Sequence, residues 1–243
     1  MKRKKIILVG PGKGGIGKTA SLLYAIPFFD QRKIKYRLLD YDWENTDKSG
    51  LQNFDSRAIK LNIHSQRAMD EFFDAVDDES VDAILVDLPA GSGEPVFQWF
   101  DELYTEAHEL GLDFSLLAVT TNEAGSVQST LKWASHLQNR VDYVVVKNEL
   151  SEKGSEFEYL NEEPKFGEFR KMFSPGIVTM KSRPLTLESE MRNHTVTLDQ
   201  VARGKVKSAF LSKTKNKVRA KIAQNSYLAE LESVSEFLIP TSK

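Results

Sequence analysis

The stretch Gly10-Pro11-Gly12-Lys13-Gly14-Gly15-Ile16-Gly17-Lys18-Thr19 constrains this chain more than any other. It follows Ile6-Ile7-Leu8-Val9, an apolar run of strand length, and precedes Ala20-Ser21-Leu22-Leu23-Tyr24-Ala25, which opens a helix. A strand, a glycine loop, Lys-Thr and a helix form the setting in which G-x-x-x-x-G-K-[ST] becomes a phosphate cradle. Glycines let the backbone N–H groups turn toward phosphate oxygens without a Cβ in the way. The helix N-terminus adds partial positive charge, and a lysine at position 18 reaches the outer phosphates. The loop backbone at Gly12, Gly14, Gly15, Ile16, Gly17, Lys18, Thr19 and Ala20 is thus the expected nucleotide contact, with the Thr19 hydroxyl offered to Mg²⁺.

Two further segments end in carboxylates where a parallel sheet would present them to a ligand. Lys35-Tyr36-Arg37-Leu38-Leu39 reads as a strand running into Asp40-Tyr41-Asp42. Ala83-Ile84-Leu85-Val86 ends in Asp87, followed by Leu88-Pro89-Ala90-Gly91. The second has the form of a strand whose terminal aspartate shares Mg²⁺ with the loop threonine, followed by a segment able to change its path with the γ-phosphate. For Asp87 the competing reading is a helix cap, and for Asp40 and Asp42 it is a loop of solvated carboxylates.

Lys13 opens the run Lys13-Gly14-Gly15-Ile16-Gly17-Lys18-Thr19 and has no task in an ordinary cradle. Through this run the chain resembles the ParA/MinD family of deviant Walker A ATPases, whose signature is K-G-G-x-G-K-[ST]. The resemblance also takes in Asp40-Tyr41-Asp42 and the Asp87–Gly93 segment, and is nearest to the plasmid partition and conjugative-transfer ATPases. It implies ATP and Mg²⁺ as cofactors and a homodimer that forms on ATP binding. Lys18 would then act in its own site and Lys13 in the partner's. Asp42 would position the attacking water, and Asp40 would support the Mg²⁺ shell together with Thr19 and Asp87. Trp43-Glu44 replaces the Pro-Gln of many partition ATPases.

The remaining strands and helices alternate in the order of a three-layer α/β/α P-loop NTPase with a mostly parallel sheet. Residues 55–64 suggest a minor strand, and Ser65–Val76 an amphipathic helix. The helix from about Glu94 to Leu110 should send its aromatics into the core. Strands follow near 113–120, 141–148 and 176–180, with a helix at 125–139 between the first two. Asn148 ends its strand without the guanine-reading N-K-x-D pattern, so it is the candidate adenine contact, with a plain strand-end asparagine as the alternative. Residues 149–170 carry seven glutamates against three Lys/Arg and suggest a surface excursion of short helices.

The ATPase domain is expected over 1–204, with a basic and amphipathic helical extension over 205–243 packed on it. Between Arg203 and Lys221 stand eight Lys/Arg and no acid. Lys205, Lys207, Lys213, Lys215, Lys217, Arg219 and Lys221 are either a solvated face or a salt-sensitive contact to DNA phosphates. A membrane role is disfavoured, because Glu230, Glu232 and Glu236 interrupt the terminal helix. A net charge of −2 gives no global pull toward nucleic acid, and 40% apolar with 28% charged residues fits a globular protein. With no cysteine there is no disulfide, thiol nucleophile or thiolate cluster, which is compatible with a cytoplasmic setting. The expected activity is a slow, Mg²⁺-dependent, dimerisation-coupled ATP hydrolysis that positions DNA or a cargo through an adaptor protein. The rival readings are a small-molecule ATP-dependent ligase and a nucleotide-binding module without turnover.

Overall fold

The computed structural model describes residues 3–11, 14–42, 50–91, 93–150 and 156–240. In chain order these form β1 (Lys4–Gly10), α1 (Lys18–Gln31), β2 (Tyr36–Asp40), α2 (Leu51–Phe54), β3 (Ile59–Lys60), α3 (Gln66–Asp77), β4 (Ala83–Asp87) and α4 (Glu94–Glu109). Then come β5 (Leu112–Thr120), α5 (Ala124–Leu137), β6 (Asp142–Asn148), α6 (Glu158–Glu162), α7 (Pro164–Phe173), β7 (Gly176–Met180), α8 (Leu185–Asn193), α9 (Leu198–Ala202) and α10 (Thr214–Glu232).

The strands make one sheet in the order β3-β2-β4-β1-β5-β6-β7. Every pair in it is parallel, where the sequence led us to expect a mostly parallel sheet. A strand buried on both faces must be apolar at successive positions, and β1 is buried along its whole length. Its side chains alternate between two cores. Ile6 and Leu8 join Leu39, Val86, Leu116 and the inner faces of α3, α4 and α5. Ile7 and Val9 join Leu38, Leu85, Leu117 and the inner faces of α1, α8 and α10. The period of two in the strands thus builds the three layers.

The central position of β1 fixes where ligands can bind. Its neighbours β4 and β5 lead away to opposite edges, so the loop after β1 opens into the crevice at the carboxyl ends of the strands.

The weak 55–64 strand shortens to the two-residue edge β3. Ser65 caps α3 by accepting the Ala68 N–H, which starts that helix as the sequence suggests. Val96, Phe97, Phe100, Leu103 and Ala107 of α4 are buried as expected, whereas Leu110 is exposed. The described part of 205–243 packs against α1 and β7. Tyr227 and Ser21 share a hydroxyl–hydroxyl bond of 2.7 Å, and Gln224 Nε2 donates to the Tyr24 carbonyl at 2.8 Å. Glu230 accepts the Thr179 N–H of β7 at 2.8 Å. Leu231, Val234 and Leu238 complete that core, although the helix stops at Glu232.

Candidate functional site

Gly15 and Gly17 adopt φ of +83° and +93°, the left-handed region that glycine enters freely. Gly17 is also the residue from which α1 starts. A Cβ there would lie 2.4 Å from Asn148 Nδ2, so loop and asparagine are packed against each other. Asn148 is buried, and its amide nitrogen donates to the Ile16 carbonyl at 2.8 Å. Its Oδ1 is buried without a partner. The expected base contact is thus also a prop for the loop, with one acceptor left over. Gly14 and Ala20 line a crevice with Gly15, Gly17, Lys18 and Thr19, while Gly12 and Lys13 lie outside the described residues.

Thr19, in the first turn of α1, donates its hydroxyl to Asp87 Oδ2 at 2.7 Å. Asp87 ends β4 directly beside the loop and is 1% exposed, with Oδ1 buried and unpaired. A hydroxyl that lines the crevice, paired with a buried carboxylate that keeps one oxygen without a partner, fits the hard-cation chemistry of Mg²⁺. Thr19 and Asp87 are the residues that would hold it.

Asp40 has backbone partners of its own. The β2–β4 register puts it directly opposite Asp87, as a metal-shell role would require. Its Oδ1, however, accepts the Asp42 N–H at 3.2 Å and its Oδ2 the Gln52 N–H at 3.3 Å. Asp40 is fully buried and clamps the two ends of the loop between β2 and α2, which is a structural task. Asp42, two residues on, lines the crevice instead.

The charges are arranged under strong burial. Desolvation lowers the Lys18 amine, and Asp87 and Asp42 pull it back up. Desolvation pushes the Asp87 carboxyl up to about 7; the Asp40 and Asp42 charges add to the rise, and the Thr19 hydroxyl and Lys18 oppose it. Burial raises Asp40 as well. Among the described residues, Asp40, Asp42 and Asp87 thus share their surroundings with Lys18.

The crevice is a cavity of about 550 Å³ that runs from Gly14, Lys18 and Thr19 along α1 to Tyr24 and on to Glu188 and Arg192 of α8. Its far wall belongs to the segment after the last strand, where the sequence singled out no side chain. Arg183 lays its guanidinium 4.8 Å over the Tyr24 ring and pairs with Glu188, which also accepts the Tyr24 hydroxyl at 3.4 Å. The only sequence trace of this wall is the four-residue spacing of Glu188 and Arg192 just after the last strand.

Beyond Asp87, Gly91 and Gly93 take φ of +126° and +89°, and a Cβ at Gly93 would meet Trp133 Nε1 at 2.7 Å. The cations from Lys205 to Lys221 are exposed except the half-buried Lys217, and they stand around α10, remote from the loop in sequence. Among the described residues, no helix is long and apolar enough to cross a membrane.

No protein family and no curated protein matches the chain. Among solved structures it is similar to the signal recognition particle receptor FtsY from Elizabethkingia anophelis, with 14% identity and a TM-score of 0.44 over 60% of this chain and 50% of that one. It is also similar to FlhF complexed with GTP/Mg²⁺, with 15% identity and a TM-score of 0.43 over 74% of this chain and 66% of that one. The chain thus spans half of the first of these proteins and just under two thirds of the second. The parallel sheet, the loop after its central strand and the Thr19–Asp87 pair together make this a three-layer α/β/α P-loop NTPase fold.

Proposed function

We propose that the protein is an ATP-dependent dimerisation switch, an ATPase of the ParA/MinD kind that acts in positioning a cargo, DNA partition and transfer included. The observation that carries this reading is the Thr19–Asp87 hydrogen bond beside the buried Lys18, with Asp42 at the mouth of the same cavity. To it the sequence adds a second loop lysine, Lys13. The loop N–H groups and Lys18 bind phosphate oxygens and take up the charge that spreads over them as the terminal phosphoryl group leaves. Thr19 and Asp87 would hold Mg²⁺, which would neutralise charge on the phosphates. Asp42 orients the attacking water. Lys13 of a second copy reaches the same phosphates, so binding and dimerisation become one event.

Asn148 supports ATP over GTP. Its amide nitrogen is committed to Ile16, and what remains is an acceptor, Oδ1. An acceptor pairs with the amino group of adenine, and beside it the choice of ATP rests on the absence of an N-K-x-D run after β6.

Light scattering with ADP and with ATP·Mg²⁺ tests the switch. ATP should double the mass, Asp42→Ala should hold the dimer, and Lys18→Ala should lose both nucleotide and dimer. A monomeric Asp42→Ala protein in saturating ATP would sink this reading.

A further inference from the structure

Helix α10 buries one face and leaves the opposite one bare. Toward the core it turns Asn216, Ala220, Gln224, Tyr227 and Leu231. On the outer side Val218 is 48% and Ile222 65% exposed, and Asn225 and Ala229 are exposed with them. These four follow at intervals of four, three and four residues, the spacing of a seam between two packed helices. At about 100° per residue, Lys215 and Arg219 border the seam on one side and Lys217 and Lys221 on the other. The acids in the last turns of the helix are engaged elsewhere: Glu230 holds the Thr179 N–H and Glu232 pairs with Arg32. The outer face is a line of Val218, Ile222 and Ala229 broken by Asn225, with cations on both sides of its first half.

We propose that this seam docks an amphipathic α-helix of a partner protein, one whose own apolar stripe is flanked by Asp and Glu. A second copy of α10 is disfavoured, because its cations would face these across the seam. Duplex DNA fits the flanks and misfits the centre, where Val218 and Ile222 would lose water against phosphates and gain no contact. A bilayer misfits as well, since Asn225 sits midway along the seam and would enter the acyl boundary unpaired. A partner helix can pair that carboxamide, and an asparagine within a seam fixes register. From Val218 to Ala229 the seam spans about 17 Å, some three turns, so the expected affinity is micromolar.

The probe is a synthetic helix of about three heptads with leucine at the seam, one seam asparagine and glutamate at the flanks. Its control carries lysine at the flanks. Fluorescence anisotropy should show the acidic helix binding at least about tenfold more tightly than the control, with affinity that falls as salt rises. The double variant Val218→Ser, Ile222→Ser should weaken it by about tenfold or more, with an unchanged thermal melt. The double variant Arg219→Glu, Lys221→Glu should reverse the preference toward the lysine-flanked control, a gain that misfolding cannot mimic. Equal binding of the two peptides, or indifference to the serine pair, would overturn the proposal. So would binding of a duplex of about 30 base pairs, or of phosphatidylcholine/phosphatidylglycerol vesicles, that the serine pair abolishes. None of these measurements needs nucleotide, so they stand or fall apart from the ATPase reading.

Discussion

Asp87 is under conflicting demands. As a candidate metal ligand it must be ionised, yet burial pushes its carboxyl from 3.8 up to about 7. The sign of the effect on folding follows from which state holds the proton. Below pH 4 both the folded and the unfolded chain carry it. Between about pH 4 and 7 the unfolded carboxyl loses it while the folded one keeps it, so stability falls as pH rises through that window and levels off above it. The shift is worth roughly 4 kcal/mol as an upper bound. Asp87→Asn keeps the shape and an acceptor for the Thr19 hydroxyl but carries no charge. In chelator without nucleotide its melting temperature should exceed the wild type's at pH 8 by several degrees, and the two should converge near pH 4. In ATP·Mg²⁺ the same variant should bind more weakly. A wild-type-like melt at pH 8 would show that the buried charge is relieved by something other than a proton.

At the scale of elements, what could be read depended on how local the cause was. The strand ahead of the loop and the loop itself are written in fourteen consecutive residues, Ile6 to Thr19. Lys4 shows the opposite case. In sequence it belongs to a basic run before an apolar one, and nothing there says that it is 2% exposed. In the fold it starts β1 beneath the end of α3, where its amine donates to the Asp78 carbonyl at 2.6 Å and the Ala75 carbonyl at 3.3 Å. Those carbonyls face outward at a helix C-terminus and need a donor, and a cation there also meets the negative end of the helix dipole. Lys4→Met should therefore cost about 1–3 kcal/mol in urea unfolding and leave ATP affinity unchanged, because Lys4 lies at the amino end of the central strand, opposite the loop. The clamp made by Asp40 and the ion pair of Glu188 were hidden for the same reason as the task of Lys4. The partners of Asp40 are backbone groups on both sides of a loop, and the wall built by Glu188 joins residues more than a hundred positions apart in sequence.

At the scale of the molecule the question is whether each cavity is complete on its own. Lys18, Thr19, Asp42 and Asp87 all belong to one copy, whereas the proposed role of Lys13 requires two. Complementation separates these cases. Lys13→Ala and Asp42→Ala proteins should each hydrolyse ATP slowly or not at all. In a mixed dimer, the cavity of the Lys13→Ala subunit has its own Asp42 and receives an intact Lys13 from its Asp42→Ala partner. The other cavity lacks both groups. Random exchange makes half the dimers mixed, each with one working site, so an equal mixture should regain about a quarter of wild-type turnover per subunit. Mixing Lys18→Ala with Asp42→Ala should restore nothing, because both defects then fall on groups that serve their own cavity. If the first mixture stays as inactive as its components while wild-type turnover per subunit is independent of protein concentration, the lysine acts within its own copy and the cavity works alone.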